Sequence, residues 1–525
     1  MNNPHSKRPV RFFNTTGPCF PWDHYMLPPK DRLVGAQLDR YIKDNLYWVL
    51  HAPRQTGKTT FLKHWAEEIN SGSEALACYV SIERCQNLPE RERAMPEVCN
   101  AIIEQAVLNG FKKPELTTDG PSSMVSNILS NWAKITAPKP LVVLFDETDA
   151  LEGDAMISFL RQLRGGFMDR GIGKFPVSVA LVGLRDLKDY LTAAKDGNIP
   201  SPLSPFNIKE DSVLLSNFSK DEVTKLFSQR TEETGQTITN DALEYVWEQS
   251  QGQPWIVNSL FMRASMRILK ADDYSEITIN HIKEARKQMI MARETHLDTL
   301  AVRIKEPAVR YVMESLITGI PNPDLTASEG FNLCMDLGLV KKEQSVPMVA
   351  NPLYKEILAR QLTYSAQEAI PEPDWQWEKA DGSLDMDSLL KEFQKFWRRN
   401  SEVWEQKADY TEAFPHLLLM AFLQRILNGG GHIEREYAAG RGRMDLAVEY
   451  NKQLFIIEIK LIHSYDNPEE ICEEGLNQIA KYKDKTAPDA PAYLIIFDRR
   501  DTVKKLSWDE RLSWNNENDI VIVRC

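Results

Sequence analysis

The stretch LYWVLHAPRQTGKTTFL, Leu46 to Leu62, decides how this chain is read. Its apolar opening, Leu46 to Leu50, predicts a buried strand. Ala52-Pro53-Arg54-Gln55-Thr56-Gly57-Lys58-Thr59 predicts a turn, and an amphipathic helix follows. A loop passing from strand to helix aims several backbone N–H groups and the positive end of the helix dipole into one concavity, which is a seat for a phosphate chain.

The spacing is that of a P-loop. Gly57 permits close approach of backbone to phosphate, Lys58 supplies a cation to the β- and γ-phosphates, and the Thr59 hydroxyl is placed to ligate Mg²⁺. The cradle for the nucleoside triphosphate comprises Ala52, Arg54, Gln55, Thr56, Gly57, Lys58, Thr59 and Thr60. Ala52 stands where the pattern asks for glycine, which is tolerable only if that residue avoids positive φ.

A second motif supports the first. Leu141-Val142-Val143-Leu144-Phe145-Asp146-Glu147 is an apolar run ending in two carboxylates, as expected of a parallel strand covered on both faces with its ligand at the carboxyl end. Asp146 is expected to hold Mg²⁺, usually through water, and Glu147 to orient and activate the attacking water. Asp149 reads as a turn or cap residue. The strand-like runs LACYVSIER (76–84) and VSVALVG (177–183) extend the sheet. The second leads into Arg185-Asp186, where a polar side chain can sense the γ-phosphate. Arg161, Arg164 and Arg170 are either a charge-stabilising arginine acting on a neighbouring subunit or a solvated helical face. Tyr25, in the aromatic segment before the P-loop, either flanks a base or packs in a core.

A chain of 525 residues is long enough for several domains. Hydrophobic content of 42% and charged content of 26% are ordinary for a soluble protein. No apolar run reaches membrane-spanning length and no signal peptide is evident, so a cytoplasmic protein without membrane attachment is expected. The seven cysteines are scattered with no CxxC pair, which indicates neither a disulfide framework nor a zinc site. A net charge of −12 argues against wholesale coating of nucleic acid but leaves room for a local basic groove.

From Ser219 the pattern turns helical, with Asp221 and Asp241 at helix starts and Pro254 in the first turn of another. SPFNI (204–208), the turn Gly252-Gln253-Pro254-Trp255, the P-loop and the Asp146-Glu147 strand together resemble the AAA-like ATPases of the STAND class, over about residues 10–365. The resemblance implies ATP and Mg²⁺ as cofactors, a homo-oligomer, and contact of Pro254 with the nucleotide. It also implies a P-loop core (1–215), a helical lid (216–298) and a winged helix (299–365) that braces the molecule or reads a DNA groove.

Gln367 to Asp387 carries seven carboxylates against the single Lys379 and reads as a linker, 366–387. After it, the leucine-rich segment Ala413–Leu427 reads as a buried helix. Next, Gly440-Arg441-Gly442-Arg443-Met444-Asp445 opens a hairpin whose second strand, Leu454 to Lys460, puts Glu458 and Lys460 on one face. Two carboxylates and an ammonium at one point suit Mg²⁺ held by Asp445 and Glu458, with Lys460 as electrostatic clamp. Gln478 and Tyr482 share one helical face downstream. The order Asp, Glu-x-Lys, Gln-x-x-x-Tyr resembles the PD-(D/E)XK nuclease superfamily over about residues 385–525 (388–525 as a domain). That resemblance implies a further helix acid, Glu412 or Glu436, and nucleic acid, DNA above all, as partner.

The chain therefore reads as α/β throughout: a P-loop NTPase parallel sheet with helical lid and winged helix, then a separate α/β nuclease-like domain. The expected function is an ATP-driven switch controlling a metal-dependent nuclease, and the resemblances imply prokaryotic defence or DNA processing as its setting. The alternative is a nucleotide-dependent regulatory scaffold whose nuclease-like fold binds nucleic acid without cutting it.

Overall fold

The computed structural model describes residues 10–525 except 34–35, 116–119, 185–207, 271–272, 292–301, 319–323, 370–376, 406–413, 428–430, 436–437, 440–441, 444–445, 452, 463–465, 501–502, 504 and 518. The chain divides into two compact units, one of residues 1–292, 333–341 and 350–353, the other of 293–332, 342–349 and 354–525. No helix among the described residues is long and apolar enough to cross a membrane.

The first unit is built on five strands: β1 (Tyr47–His51), β2 (Leu76–Ser81), β3 (Leu141–Asp146), β4 (Ser178–Gly183) and β5 (Lys209–Leu214). They lie in the order β2-β3-β4-β1-β5, every pair parallel. Such strands are covered on both faces, which is why the sequence shows runs of apolar residues rather than alternation. Parity divides them between two cores. Tyr47, Val49, Val143, Phe145, Val179 and Leu181 pack under the helices Arg91–Leu108, Met124–Thr136 and Gly153–Phe167. Trp48, Leu50, Val142, Leu144, Ala180 and Val182 pack against Phe61, Leu62 and Trp65 of the helix Lys58–Ser71.

The helices Lys220–Thr234, Asn240–Ser250, Pro254–Met262 and Ile279–Met291 follow. Ser219 and Glu222 close a capping box on the first, so Ser219 is the cap and Asp221 lies inside the first turn. Pro254 occupies the first position of its helix, with the Gln253 side chain as cap. The segment Arg11–Tyr25 is stitched to these helices: Arg11 pairs with Glu233 at 3.0 Å, and the Phe13 ring lies 5.8 Å from Phe227 and 5.0 Å from Phe261. Tyr25 is 1% exposed and packs on Phe13, so plain core packing accounts for it.

Residues 302–369 run helix (Pro307–Thr318), helix (Glu329–Asp336), strand pair β6 (Val340–Glu343) and β7 (Val346–Val349), then helix (Pro352–Ala369). These elements overlap the span 299–365 in which the resemblance implies a winged helix. They are shared between the two compact units rather than forming a body of their own.

The second unit carries a six-stranded sheet from β8 (Gly431–Arg435), β11 (Leu446–Tyr450), β12 (Gln453–Ile462), β13 (Ala492–Asp498), β14 (Ser513–Glu517) and β15 (Ile520–Arg524), ordered β14-β15-β13-β12-β11-β8. A separate two-stranded ribbon joins β9 (Ala438–Ala439) and β10 (Gly442–Arg443). β11 and β12 form the expected antiparallel hairpin, whereas β12, β13 and β15 run parallel. On one face Ile456 and Ile462 meet Ile479 and Tyr482 of the helix Pro468–Thr486. On the other, Phe497 meets Phe393 and Trp397 of the helix Met386–Glu405, and Phe393 in turn meets Phe422 of the helix Phe414–Leu427.

The acidic stretch read as a linker differs from that expectation after residue 376. Leu384 and Met386 are buried, Tyr450 donates to Glu378 at 2.8 Å, and Tyr493 donates to Asp387 at 2.7 Å. Its carboxylates are acceptors for tyrosine hydroxyls of the sheet, a use that charge counting does not show.

Gly252 has a φ of 73°, and a Cβ there would stand 1.9 Å from the Phe218 carbonyl oxygen. Both the backbone conformation and the space exclude a side chain. Gly252→Ala is expected to destabilise the helical segment by upwards of about 2 kcal/mol, read as a fall in the midpoint of the first thermal transition.

Candidate nucleotide and metal sites

The turn after β1 has the geometry of a phosphate cradle. Gly57 takes a φ of 99° directly before the helix, and Gln55 also sits in the left-handed region at 58°. Ala52 is absent from the positive-φ residues, so the condition for alanine at the first motif position is met. The Lys58 ammonium folds back onto the Ala52 and Pro53 carbonyl oxygens at 2.7 and 2.9 Å, and Thr56 donates to Pro53 at 2.8 Å. Burial under the loop pulls Lys58 below the ordinary lysine range, opposed by Asp146, Asp149 and Glu147. A desolvated cation held only by carbonyls fits an anion arriving in the cradle. Arg54 and Gln55 are exposed at its rim.

The two motifs meet. Thr59 donates to Asp146 Oδ2 at 2.7 Å, and the Glu147 N–H donates to Asp146 Oδ1 at 3.0 Å. A hydroxyl beside a carboxylate is the hard-oxygen donor set that Mg²⁺ prefers, so these two residues fit the ion. Glu147 sits in the left-handed region at φ 59°, which turns its side chain away from the strand direction. Burial, with Asp149 and Asp146 close by and Lys58 opposing, pushes it up to about 7. Such a carboxylate can accept a proton from water near neutrality.

Further residues surround this site. Tyr79 on β2 donates to Asp146 Oδ2 at 3.1 Å. Asp149 lies in a turn, Thr148–Ala150, as read from sequence, and is half-buried beside the end of β4, where its Oδ1 would lie 3.1 Å from a Cβ on Gly183; desolvation raises its pKa. Arg32 is 5% exposed, with Nη1 3.2 Å from where a Cβ on Gly57 would be, and it donates through Nε to the Ser216 carbonyl at 3.0 Å. Burial lowers it to about 10. The backbone of Cys19 donates to Thr60 at 3.1 Å, and Trp255 Nε1 donates to the Thr15 carbonyl at 3.1 Å. The segment 15–19 thus joins the P-loop helix to the turn containing Pro254. No motif spacing marks these contacts, which join residues 41 to 240 positions apart. Arg185 lies outside the described residues.

In the second unit, strand parity fixes the site. Glu458 and Lys460 share the face of Ile456 and Ile462, so both look toward the helix Pro468–Thr486. Glu458 is 3% exposed, and Lys460 Nζ lies 3.7 Å from its Oε1. From the helix, Glu474 Oε1 reaches Lys460 Nζ at 3.0 Å. One turn further on, Gln478 Oε1 is buried with no hydrogen-bond partner among the described residues. A buried carboxylate and an open amide oxygen fit a hard divalent cation. Asp445, Glu412 and Glu436 lie outside the described residues, and among those described no three His, Cys, Asp or Glu cluster as metal ligands. Burial, and secondarily the Lys460 charge, lowers His416 to about 4, so it is a neutral imidazole near the site. Neither Glu474 nor His416 is marked by the sequence motif.

Because Tyr79 and Thr59 together hold one oxygen of Asp146, Tyr79→Phe is expected to slow ATP hydrolysis by about threefold to tenfold, the loss of one hydrogen bond to a charged group. Lys58→Ala is expected to abolish nucleotide binding. Phosphate release and nucleotide titration check both.

Among known proteins, residues 410–497 match the PD-(D/E)XK nuclease superfamily. No curated protein matches the chain in sequence. Solved structures similar to it include the Walker-type ATPase PABY2304 of Pyrococcus abyssi, at 15% identity and a TM-score of 0.46 over 66% of this chain and 99% of that one. Aeropyrum pernix ORC2, in ADPNP–ADP complexes, is similar at 15% identity and a TM-score of 0.40 over 63% of this chain and 92% of that one. The Thermotoga maritima RuvB Holliday junction branch migration motor is similar at 15% identity and a TM-score of 0.34 over 62% of this chain and 93% of that one. The chain carries a five-stranded parallel sheet with P-loop spacing after its first strand, and within its second compact unit residues 410–497 match the PD-(D/E)XK nuclease superfamily.

Proposed function

We propose that this protein is an ATP-binding and ATP-hydrolysing switch of the STAND type whose nucleotide state controls a Mg²⁺-dependent nuclease acting on DNA, in prokaryotic defence or DNA processing. The observation that carries the reading is the pairing, in one chain, of a Thr59–Asp146 contact at 2.7 Å with a Lys460 set 3.7 Å from buried Glu458. Each is the core of a phosphate chemistry, and neither serves packing.

In the first site Lys58 and the loop N–H groups take the triphosphate, Thr59 and Asp146 hold the ion, and Glu147 accepts a proton from the water attacking the γ-phosphate. Arg185 and Pro254 report the nucleotide state to the rest of the chain. In the second, Asp445 and Glu458 hold a metal that, when bound, lowers the pKa of its water and polarises the phosphodiester. Lys460 offsets the charge that builds on the phosphate oxygens, and Gln478 orients the water. The helical lid (216–298) carries Pro254, the winged helix (299–365) serves as an intramolecular brace, and a homo-oligomer is the assembly this reading proposes.

The test is cutting of single-stranded DNA, double-stranded DNA and RNA with Mg²⁺ or Mn²⁺, each with and without ATP. Cutting of DNA that depends on the metal, responds to ATP and falls by at least a hundredfold in Lys460→Ala is expected, on the scale of losing a transition-state charge contact. Undiminished cutting by that variant overturns the assignment.

A further inference from the structure

The ammonium of Lys460 has two carboxylates within reach, and the structure places it against the less obvious one. Glu474 Oε1 is 3.0 Å away and Glu458 Oε1 is 3.7 Å away. The nearer partner is half-exposed and comes from a different element, the helix Pro468–Thr486. The next residue packs directly on the sheet. A Cβ on Gly475 would stand 2.5 Å from Leu494 Cδ1 on β13, so only glycine lets the helix settle at this height. Glu474 is therefore brought down onto Lys460 by packing.

We infer that Glu474 is a positioning residue that draws the Lys460 ammonium aside and so keeps Glu458 available to a divalent cation. The inference rests on the nuclease reading for the identity of the site, but its chemistry concerns only three side chains. Lys460 is 15% exposed, too far from water to be left without an anionic partner. Without Glu474 its remaining acidic partner among the described residues is Glu458, already within ion-pair distance. A lysine closed onto Glu458 competes with the metal for the same oxygens. Gln478 Oε1, buried without a partner one helical turn from Glu474, is a second open oxygen on the same side, consistent with a place kept for a cation.

The test is Mn²⁺ binding by the nucleotide-free full-length chain, with Glu458→Gln identifying the part of the isotherm that belongs to this site. Glu474→Ala and Glu474→Gln are expected to weaken that binding by about threefold to tenfold, and Glu474→Asp to weaken it less. In a Lys460→Met background the effect of Glu474→Ala should shrink to less than half, since the competitor is gone. Weakening that persists at half or more of its size in that background overturns the inference and makes Glu474 a direct ligand. So does unchanged binding in both single variants, or a parent chain with no Glu458-dependent Mn²⁺ binding. Glu474→Gln, neutral and of the same shape, decides the matter should the alanine variant fold poorly. Cutting is scored separately. A chain that shows this binding pattern and cuts no nucleic acid leaves the role of Glu474 standing and overturns the nuclease reading. A chain that cuts but lacks the pattern does the reverse.

Discussion

A carboxylate set in an apolar strand survives burial only if something polar answers it, and both candidate sites of this protein are the answers. Asp146 ends β3 at 1% exposure, and Glu458 interrupts β12 at 3% exposure. Stripping a charge of water in such places costs several kcal/mol if nothing compensates. For Asp146 the compensation is the Thr59 hydroxyl, the Tyr79 hydroxyl and the Glu147 N–H. For Glu458 it includes Lys460. Neither arrangement adds to the cores around it, and each leaves hard oxygen atoms at the surface of a rigid sheet, where a metal or phosphate can reach them.

The scaffolds are made rigid by the same economy of space. In the first unit, two cores of opposite strand parity clamp the sheet from both sides, so the loop after β1 is held at its root by Trp48 and Leu50 on one face and Val49 on the other. Arg32 sits behind Gly57, and the segment 15–19 ties the P-loop helix to the turn at Pro254. These contacts link the phosphate cradle to the helical segment that follows. In the second unit Gly475 packs directly on Leu494 of the sheet, and its neighbour Glu474 meets Lys460.

Much of this was legible in the residues. Apolar runs gave away the parallel strands because two-sided burial leaves no room for polar alternation, as in Leu141–Phe145. The spacing from Gly57 to Thr59, the carboxylates at 146 and 147, and the two-residue interval between Glu458 and Lys460 are local facts, and the fold sets Thr59 beside Asp146 and Lys460 beside Glu458. Residues 377–387 were misread as linker because their acidity says nothing of the tyrosines that bind it. Asp149 lies in a turn as its sequence suggested, but its place beside Gly183 depends on how β3 and β4 pair.

What the sequence alone determined is the pair of local machines: a strand-turn-helix cradle with its acidic strand, and a hairpin bearing an acid and a lysine on one face. Period and spacing suffice for these because covalent geometry carries a side chain to its face within a few residues. What only the tertiary structure decided is who answers the buried charges. Tyr79 meets Asp146 across 67 positions, Trp255 meets Thr15 across 240, and Glu474 meets Lys460 because a glycine beside it lets a helix come close. Those partnerships depend on strand order and packing distance, which no short stretch of residues encodes by itself.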